Sequence, residues 1–173
     1  MHTIHLMSGL PGSGKSTFMR AYAQPSDIVV SRDNVRNRIR EELGSKDYFP
    51  IAADAEYRCW ILECANAVKQ SRVNDHCDVW FDQTSLNAGS IIKFLNALTT
   101  EVGDNLEDYH ICVEAIHTPL NTCIERDSHR TGFEHVGEAV IRKMHRGFRV
   151  VTDDIRKGLP NMANRILVNH FNP

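Results

Sequence analysis

Two groups of residues in this chain are typed and spaced for phosphate chemistry. The first is the run Gly9-Leu10-Pro11-Gly12-Ser13-Gly14-Lys15-Ser16-Thr17, a match to G-x-x-x-x-G-K-[ST]. Its glycines let successive backbone N–H groups turn into one hollow, and a helix that starts where the loop ends adds the positive end of its dipole. In such a loop Lys15 reaches the β- and γ-phosphates of a nucleoside triphosphate, and the Ser16 hydroxyl ligates Mg²⁺. The second group is a set of carboxylates and arginines further along. Asp33 follows a short β-branched run, where it can accept the proton of an attacking hydroxyl; as a helix N-cap alone it would contribute about 1 kcal/mol. Arg36 lies one helical turn on and on the same face, a forked donor suited to an acceptor's phosphate or to the transferring group, whereas Arg38 and Arg40 read as solvated. Asp82 ends another apolar run. It either holds Mg²⁺, directly or through water, or pairs with Arg36 and orients it, and the residues alone leave both readings open. Arg126 and Arg130 are four apart, so they share a helix face, and Thr131-Gly132-Phe133 then breaks that helix. This pair fits a lid that closes over the triphosphate and neutralises the charge developing on transfer. The alternative is a pair of surface contacts, Glu125 with His129 or Arg126 with Asp127, worth little.

Residues so far apart need a scaffold that gathers the ends of separate strands. The pattern supplies it. Residues 3–8 read as a strand that feeds the glycine loop, and 18–23 as the helix after it. Residues 27–31 form a short buried strand, followed by a helix to about residue 42, capped by Ser31 or Asp33 and buried through Val35, Ile39 and Leu43. After a loop over 44–50, residues 51–73 read as a long helix buried along Ala55, Cys59, Leu62, Ala65 and Val68. Strands follow at 79–82 and 109–116, separated by a helix over 87–100 with Ile91, Ile92, Leu95 and Leu98 on one stripe. Pro119 opens a helix to about residue 130. A last amphipathic helix starts at Val136-Gly137 and buries Val140, Ile141, Met144 and Phe148. Gly158-Leu159-Pro160 breaks the chain, and 165–168 is the final strand. Strands alternating with helices imply an α/β domain of three layers, a parallel sheet flanked by helices, with ligands at the carboxyl ends of the strands. The expectation is one P-loop kinase fold over residues 1–173 with an arginine-bearing lid.

Composition narrows the partners. The 173 residues are 42% hydrophobic and 24% charged, as in an ordinary globular domain. A formal net charge of −2 argues against a broad, sequence-blind grip on a nucleic-acid backbone, while leaving room for a local cluster of arginines. No apolar run is long enough for a membrane span, and a leader that had to be removed would take the glycine loop with it, so a cytoplasmic location is expected. The five cysteines contain no C-x-x-C pair and read as free thiols. The nine histidines show no metal-ligand spacing.

Four segments together carry a resemblance. The glycine loop, Arg32-Asp33-Asn34-Val35-Arg36, Phe81-Asp82-Gln83-Thr84-Ser85-Leu86-Asn87 and Arg126-Asp127-Ser128-His129-Arg130 resemble, in order and spacing, the 5′-kinase domain of bacteriophage polynucleotide kinase. The resemblance spans roughly residues 1–160. It implies ATP as phosphoryl donor and the 5′-hydroxyl end of DNA or RNA as acceptor, held at its terminus. It places Lys15 and Ser16 on the ATP phosphates and Mg²⁺, and Asp33 as general base. It sets Arg36 on the acceptor with Asp82 supporting it, Thr84 near the acceptor strand, and Arg126 and Arg130 in the lid. No D-x-D-x-T signature is present, so no 3′-phosphatase activity is expected. The same donor machinery serves kinases of a nucleoside, a sugar, an antibiotic or a hydroxymethylated DNA base, because fold does not set the acceptor. An ATP-dependent binding module without an acceptor is a third reading. The oligomeric state is not legible.

Overall fold

The computed structural model describes residues 1–173. Five strands, β1 (His2–Ser8), β2 (Ile28–Ser31), β3 (Val79–Asp82), β4 (Tyr109–Ile116) and β5 (Ile166–Phe171), form one parallel sheet in the order β2-β3-β1-β4-β5. The three-layer α/β architecture read from the alternating pattern is the one observed. Register aligns the chemistry at one edge of the sheet. Ser31 at the end of β2 pairs with Asp82 at the end of β3, while β1 runs out at Ser8 directly before the glycine loop.

Seven helices connect the strands: α1 (Lys15–Tyr22), α2 (Arg32–Leu43), α3 (Ala53–Ser71), α4 (Ala88–Val102), α5 (Leu120–Ser128), α6 (Glu138–Arg146) and α7 (Thr152–Gly158). One face of the sheet is closed by α3, α4 and α7 around Trp60, Phe81, Phe94, Leu95, Ile111 and Ile155, the main apolar core. The opposite face is covered by α1, where Met19 packs on Met7, Trp80 and Ile116. Beside α1 that face turns polar. His5 stacks on Trp80 at 3.8 Å between centroids, its Nδ1 lies 2.8 Å from Glu114 Oε1, and Asn169 donates to Glu114 Oε2 at 3.0 Å. A third apolar group, Leu10, Cys123 and Ile141, ties the glycine loop to α5 and α6.

Several expectations about the elements change. Ser31 is the cap of α2, accepting from the Asn34 N–H at 3.4 Å, so the Asp33 side chain is not used up in capping. Leu43 is exposed rather than buried. In α3 the buried stripe runs through Glu56, Trp60, Ile61, Cys64, Ala65, Ala67 and Val68, not through Ala55 and Leu62. The first buried position is held by a carboxylate, Glu56, and a buried Glu is uncommon without a charged partner. The helix over 152–158 was not anticipated. It is seven residues long, and Ile155 is its one buried side chain.

Candidate active site

The glycine loop is built against α5. Gly12 has φ +78°, and a Cβ there would stand 2.7 Å from the Cys123 carbonyl oxygen, so both its backbone angle and its lack of a side chain are required. Thr118 Oγ1 donates to Ser13 O at 2.6 Å and Arg126 Nη1 to Gly12 O at 3.2 Å, fixing the loop from the same side. Gly14, left-handed at φ 97°, caps α1, whose first residue is Lys15. The helix N-terminus therefore points into the loop hollow as an anion site requires.

The Lys15 ammonium donates to the Gly9 and Leu10 carbonyls, each at 3.0 Å, and has no carboxylate within ion-pair distance. Burial lowers its pKa, against the pull of Asp82 and Asp33 and with the help of Arg130. A desolvated ammonium at the start of a helix, beside a glycine loop, is suited to anionic oxygen. Ser13 Oγ is buried without a partner in the same loop. Ser16 Oγ donates to Asp82 Oδ2 at 3.1 Å, and burial raises the Asp82 pKa against the opposing effects of Lys15 and Ser16. A hydroxyl and a carboxylate in contact are the hard oxygen pair that magnesium takes alongside substrate phosphates, so these residues fit the ion.

The arginines of α2 are held by a carboxylate that the sequence pattern did not single out. Glu56, buried in α3, accepts from Arg32 Nε at 3.2 Å and Nη2 at 2.8 Å and from Arg36 Nη2 at 3.3 Å. Burial alone would raise its pKa; Arg32 and Arg36 together outweigh that and hold it below the usual range. Arg36 also donates through Nη1 to Asp33 Oδ1 and to the Tyr48 hydroxyl, both at 3.2 Å. Asp82 is not among the partners of Arg36. The support that the resemblance assigned to Asp82 comes from Glu56, and the Asp82 carboxylate faces Ser16. Asp33 keeps 83% of its side chain exposed, so one carboxylate remains open to solvent beside a braced guanidinium.

Arg40 is also not solvated. It is buried, donating to Asp47 O at 2.8 Å and Tyr48 O at 2.7 Å, whereas Arg38 lies outside and pairs with Glu63. Gln83, next to Asp82, accepts from Trp60 Nε1 at 3.0 Å, and its buried Nε2 has no partner. Because an indole only donates, Trp60 fixes which end of the amide is free.

Near the end of α5, Asp127 is buried, and it does not pair with Arg126. Its carboxylate accepts from the Val136 N–H at 3.0 Å and the Gly137 N–H at 2.8 Å, and His135 Nδ1 lies 3.2 Å away. The segment between is a short 3-10 turn, Gly132–Glu134, with Phe133 laid on the Arg40 guanidinium at 3.7 Å.

A cavity of about 710 Å³ joins both sides, with Lys15, Ser16, Asp33, Arg36, Asp82 and Arg130 among its walls, together with Pro11, Gly12, Gly14, Thr17, Gln83 and Thr84. The segments that carry the four motifs thus converge on one space. Arg126 stands behind the loop on the Gly12 carbonyl rather than in the cavity wall. Glu56, Arg32, Tyr48, Phe49 and Gln83 were not anticipated. Glu56 carried one signal, a carboxylate on the buried face of an amphipathic helix.

A parallel β2-β3-β1-β4-β5 sheet with a glycine loop after β1, a carboxylate at the end of β3 and an arginine on α5 is a P-loop, kinase-like α/β domain. The chain belongs to the AAA domain family, whose model matches residues 4–151. No curated protein sequence matches it. Among solved structures it is similar to an unliganded sugar kinase from Janibacter sp. HTCC2649, with TM-score 0.60 and 12% identity over 98% of this chain and 86% of that one. It is similar to a chain of the Pnkp1/Rnl/Hen1 RNA repair complex, with TM-score 0.57 and 17% identity over 92% of this chain and 46% of that one. It is also similar to the Deinococcus radiodurans tunicamycin resistance protein, with TM-score 0.53 and 14% identity over 95% of each. At these identities the likeness is one of fold.

Proposed function

We propose that this chain is an ATP-dependent kinase that transfers the γ-phosphate to the 5′-hydroxyl end of a polynucleotide. The observation that carries the reading is the open Asp33 carboxylate, braced through Arg36 on the buried Glu56, in the same cavity as Lys15, Ser16 and Asp82. The four-segment resemblance to the 5′-kinase domain of bacteriophage polynucleotide kinase supports the choice of acceptor. The fold does not choose, since similar structures include a sugar kinase and an RNA repair complex.

In this reading the loop N–H groups and Lys15 bind the β- and γ-phosphates, and Ser16 and Asp82 would hold magnesium, which supplies charge neutralisation at those oxygens. Asp33 accepts the proton of the attacking hydroxyl as the phosphorus–oxygen bond forms and the bond to the ADP oxygen breaks. Arg36 holds the acceptor's adjacent phosphate against Asp33 by its remaining donor capacity. Arg130 lines the cavity and faces the transferring group, while Arg126 keeps the loop carbonyl in place.

Incubation with γ-labelled ATP, Mg²⁺ and a 5′-hydroxyl oligonucleotide tests it; absence of label transfer sinks it. Asp33→Asn is expected to lower kcat by about 10²–10⁴ with ATP binding unchanged. A small hydroxyl compound as acceptor is the second reading, favoured by Phe133, which roofs the acceptor side from the lid. Faster turnover of such a compound than of any oligonucleotide would select it.

A further inference from the structure

Three aromatic rings stand exposed at the acceptor end of the cavity. Tyr48, Phe49 and Phe133 are 37%, 61% and 41% exposed, and all three line the cavity wall. Tyr48 meets Phe49 edge-on at 4.6 Å and lies 6.2 Å from Phe133. Single exposed apolar side chains are ordinary, but a concave apolar wall at a cationic site marks a surface built for an occupant. The wall is held from behind. Arg40, only 7% exposed, grips the Asp47 and Tyr48 carbonyls at 2.8 and 2.7 Å and carries Phe133 on its guanidinium. The loop is thus fixed with its rings outward, where burying them would have been the default outcome of folding. The wall is also close to the chemistry. The Arg36 guanidinium carbon lies 5.0 Å from the Tyr48 centroid and 5.3 Å from the Phe49 centroid, and the same guanidinium is 3.2 Å from Asp33. One arginine separates the rings from the proposed base.

We propose that Tyr48 and Phe49, with Phe133 facing them from the lid, form a stacking subsite for the nucleobase of the acceptor's 5′-terminal nucleotide. The inference rests on the polynucleotide reading above and adds what holds the end. Every base offers a π-face, so aromatic stacking grips an end without reading sequence. A net charge of −2 argues against affinity from a long backbone track and puts the weight on contacts at the terminus. Arg36, between rings and carboxylate, is placed for the phosphate that follows the terminal sugar.

The test compares two 5′-hydroxyl oligonucleotides, one ending in an ordinary nucleotide and one in a tetrahydrofuran abasic residue, with wild type, Phe49→Ala and Phe49→Tyr. In wild type, loss of the terminal base is expected to lower kcat/KM by about 5- to 150-fold. Phe49→Ala is expected to lose about 5-fold or more on the ordinary end and no more than about twofold on the abasic end, since the two deletions remove one contact. Phe49→Tyr, which keeps a ring, is expected to retain the preference. Equal turnover of both ends by wild type, or an equal loss on both ends in Phe49→Ala, overturns the stacking subsite while the kinase reading stands. No label on either end overturns both.

Discussion

Glu56→Gln tests the bracing of Arg36 most directly. The side chain is 3% exposed and receives three hydrogen bonds from two arginines, Arg32 at 3.2 and 2.8 Å and Arg36 at 3.3 Å. Glutamine keeps the shape and one acceptor oxygen but loses the charge, and its NH₂ meets a donor. Arg36 Nε is already buried without a partner, so the variant leaves this guanidinium further undersatisfied. Weakening charge-assisted bonds at a buried site costs about 2–3 kcal/mol. For a domain of this size that is a fall in Tm of about 4–12 °C. Arg36 then loses its bearing relative to Asp33, and kcat for 5′-hydroxyl oligonucleotides is expected to fall about 10²-fold, as for a 1 Å misplacement, while KM for ATP stays at the wild-type value. Thermal unfolding and steady-state kinetics read the two effects. The pH dependence supplies the sign. The folded pKa of Glu56 is lowered, so its contribution is present above the ordinary carboxylate value and is lost as pH falls through the folded one; the stability gap between wild type and variant must close there. Wild-type Tm and kcat in Glu56→Gln would refute the bracing.

Three other outcomes follow from the site. Asp82→Asn is expected to raise Tm, since burial penalises that carboxylate, while kcat falls at least about 10²-fold; a lower Tm would make Asp82 structural instead. Gly12→Ala meets φ +78° and a Cys123 carbonyl at 2.7 Å, so a stability loss of at least about 1–2 kcal/mol is expected together with loss of ATP binding in calorimetry. Trp60→Phe removes the donor that sets the Gln83 amide and is expected to raise acceptor KM about 3- to 10-fold at unchanged KM for ATP, as loss of one positioned hydrogen bond would; equal effects on both would tie Gln83 to the loop.

The donor half was readable because its residues are contiguous. Gly9 through Thr17 specify a backbone shape and a helix start within one stretch, and strand periodicity placed Asp33 and Asp82 at the same edge of the sheet. The cavity wall around Asp33 and Arg36 was readable only in part. Asp33 and Arg36 are one turn apart, but Glu56 comes from another helix, twenty residues after Arg36, and pairing across that gap is a tertiary fact. Arg40 looked solvated because its partners are backbone carbonyls at Asp47 and Tyr48, which leave no mark on residue type. The free Gln83 amide likewise depends on Trp60, on a facing helix.

The attachment of α5 to the glycine loop has a consequence for how the domain can change over time. Thr118, Cys123 and Arg126 clamp Ser13 and Gly12, so the first two turns of α5 belong mechanically to the donor loop. The stretch beyond them leaves after Ser128 and returns at Val136 and Gly137, whose N–H groups both end on the Asp127 carboxylate. One side chain therefore pins both feet of that excursion. Its tip can lengthen or shorten at little cost in chain entropy, about 0.6 kcal/mol per doubling, without disturbing the loop beneath. Insertions within 119–128 would disturb the glycine loop, whereas insertions within 131–134 would only reshape the turn at the cavity wall.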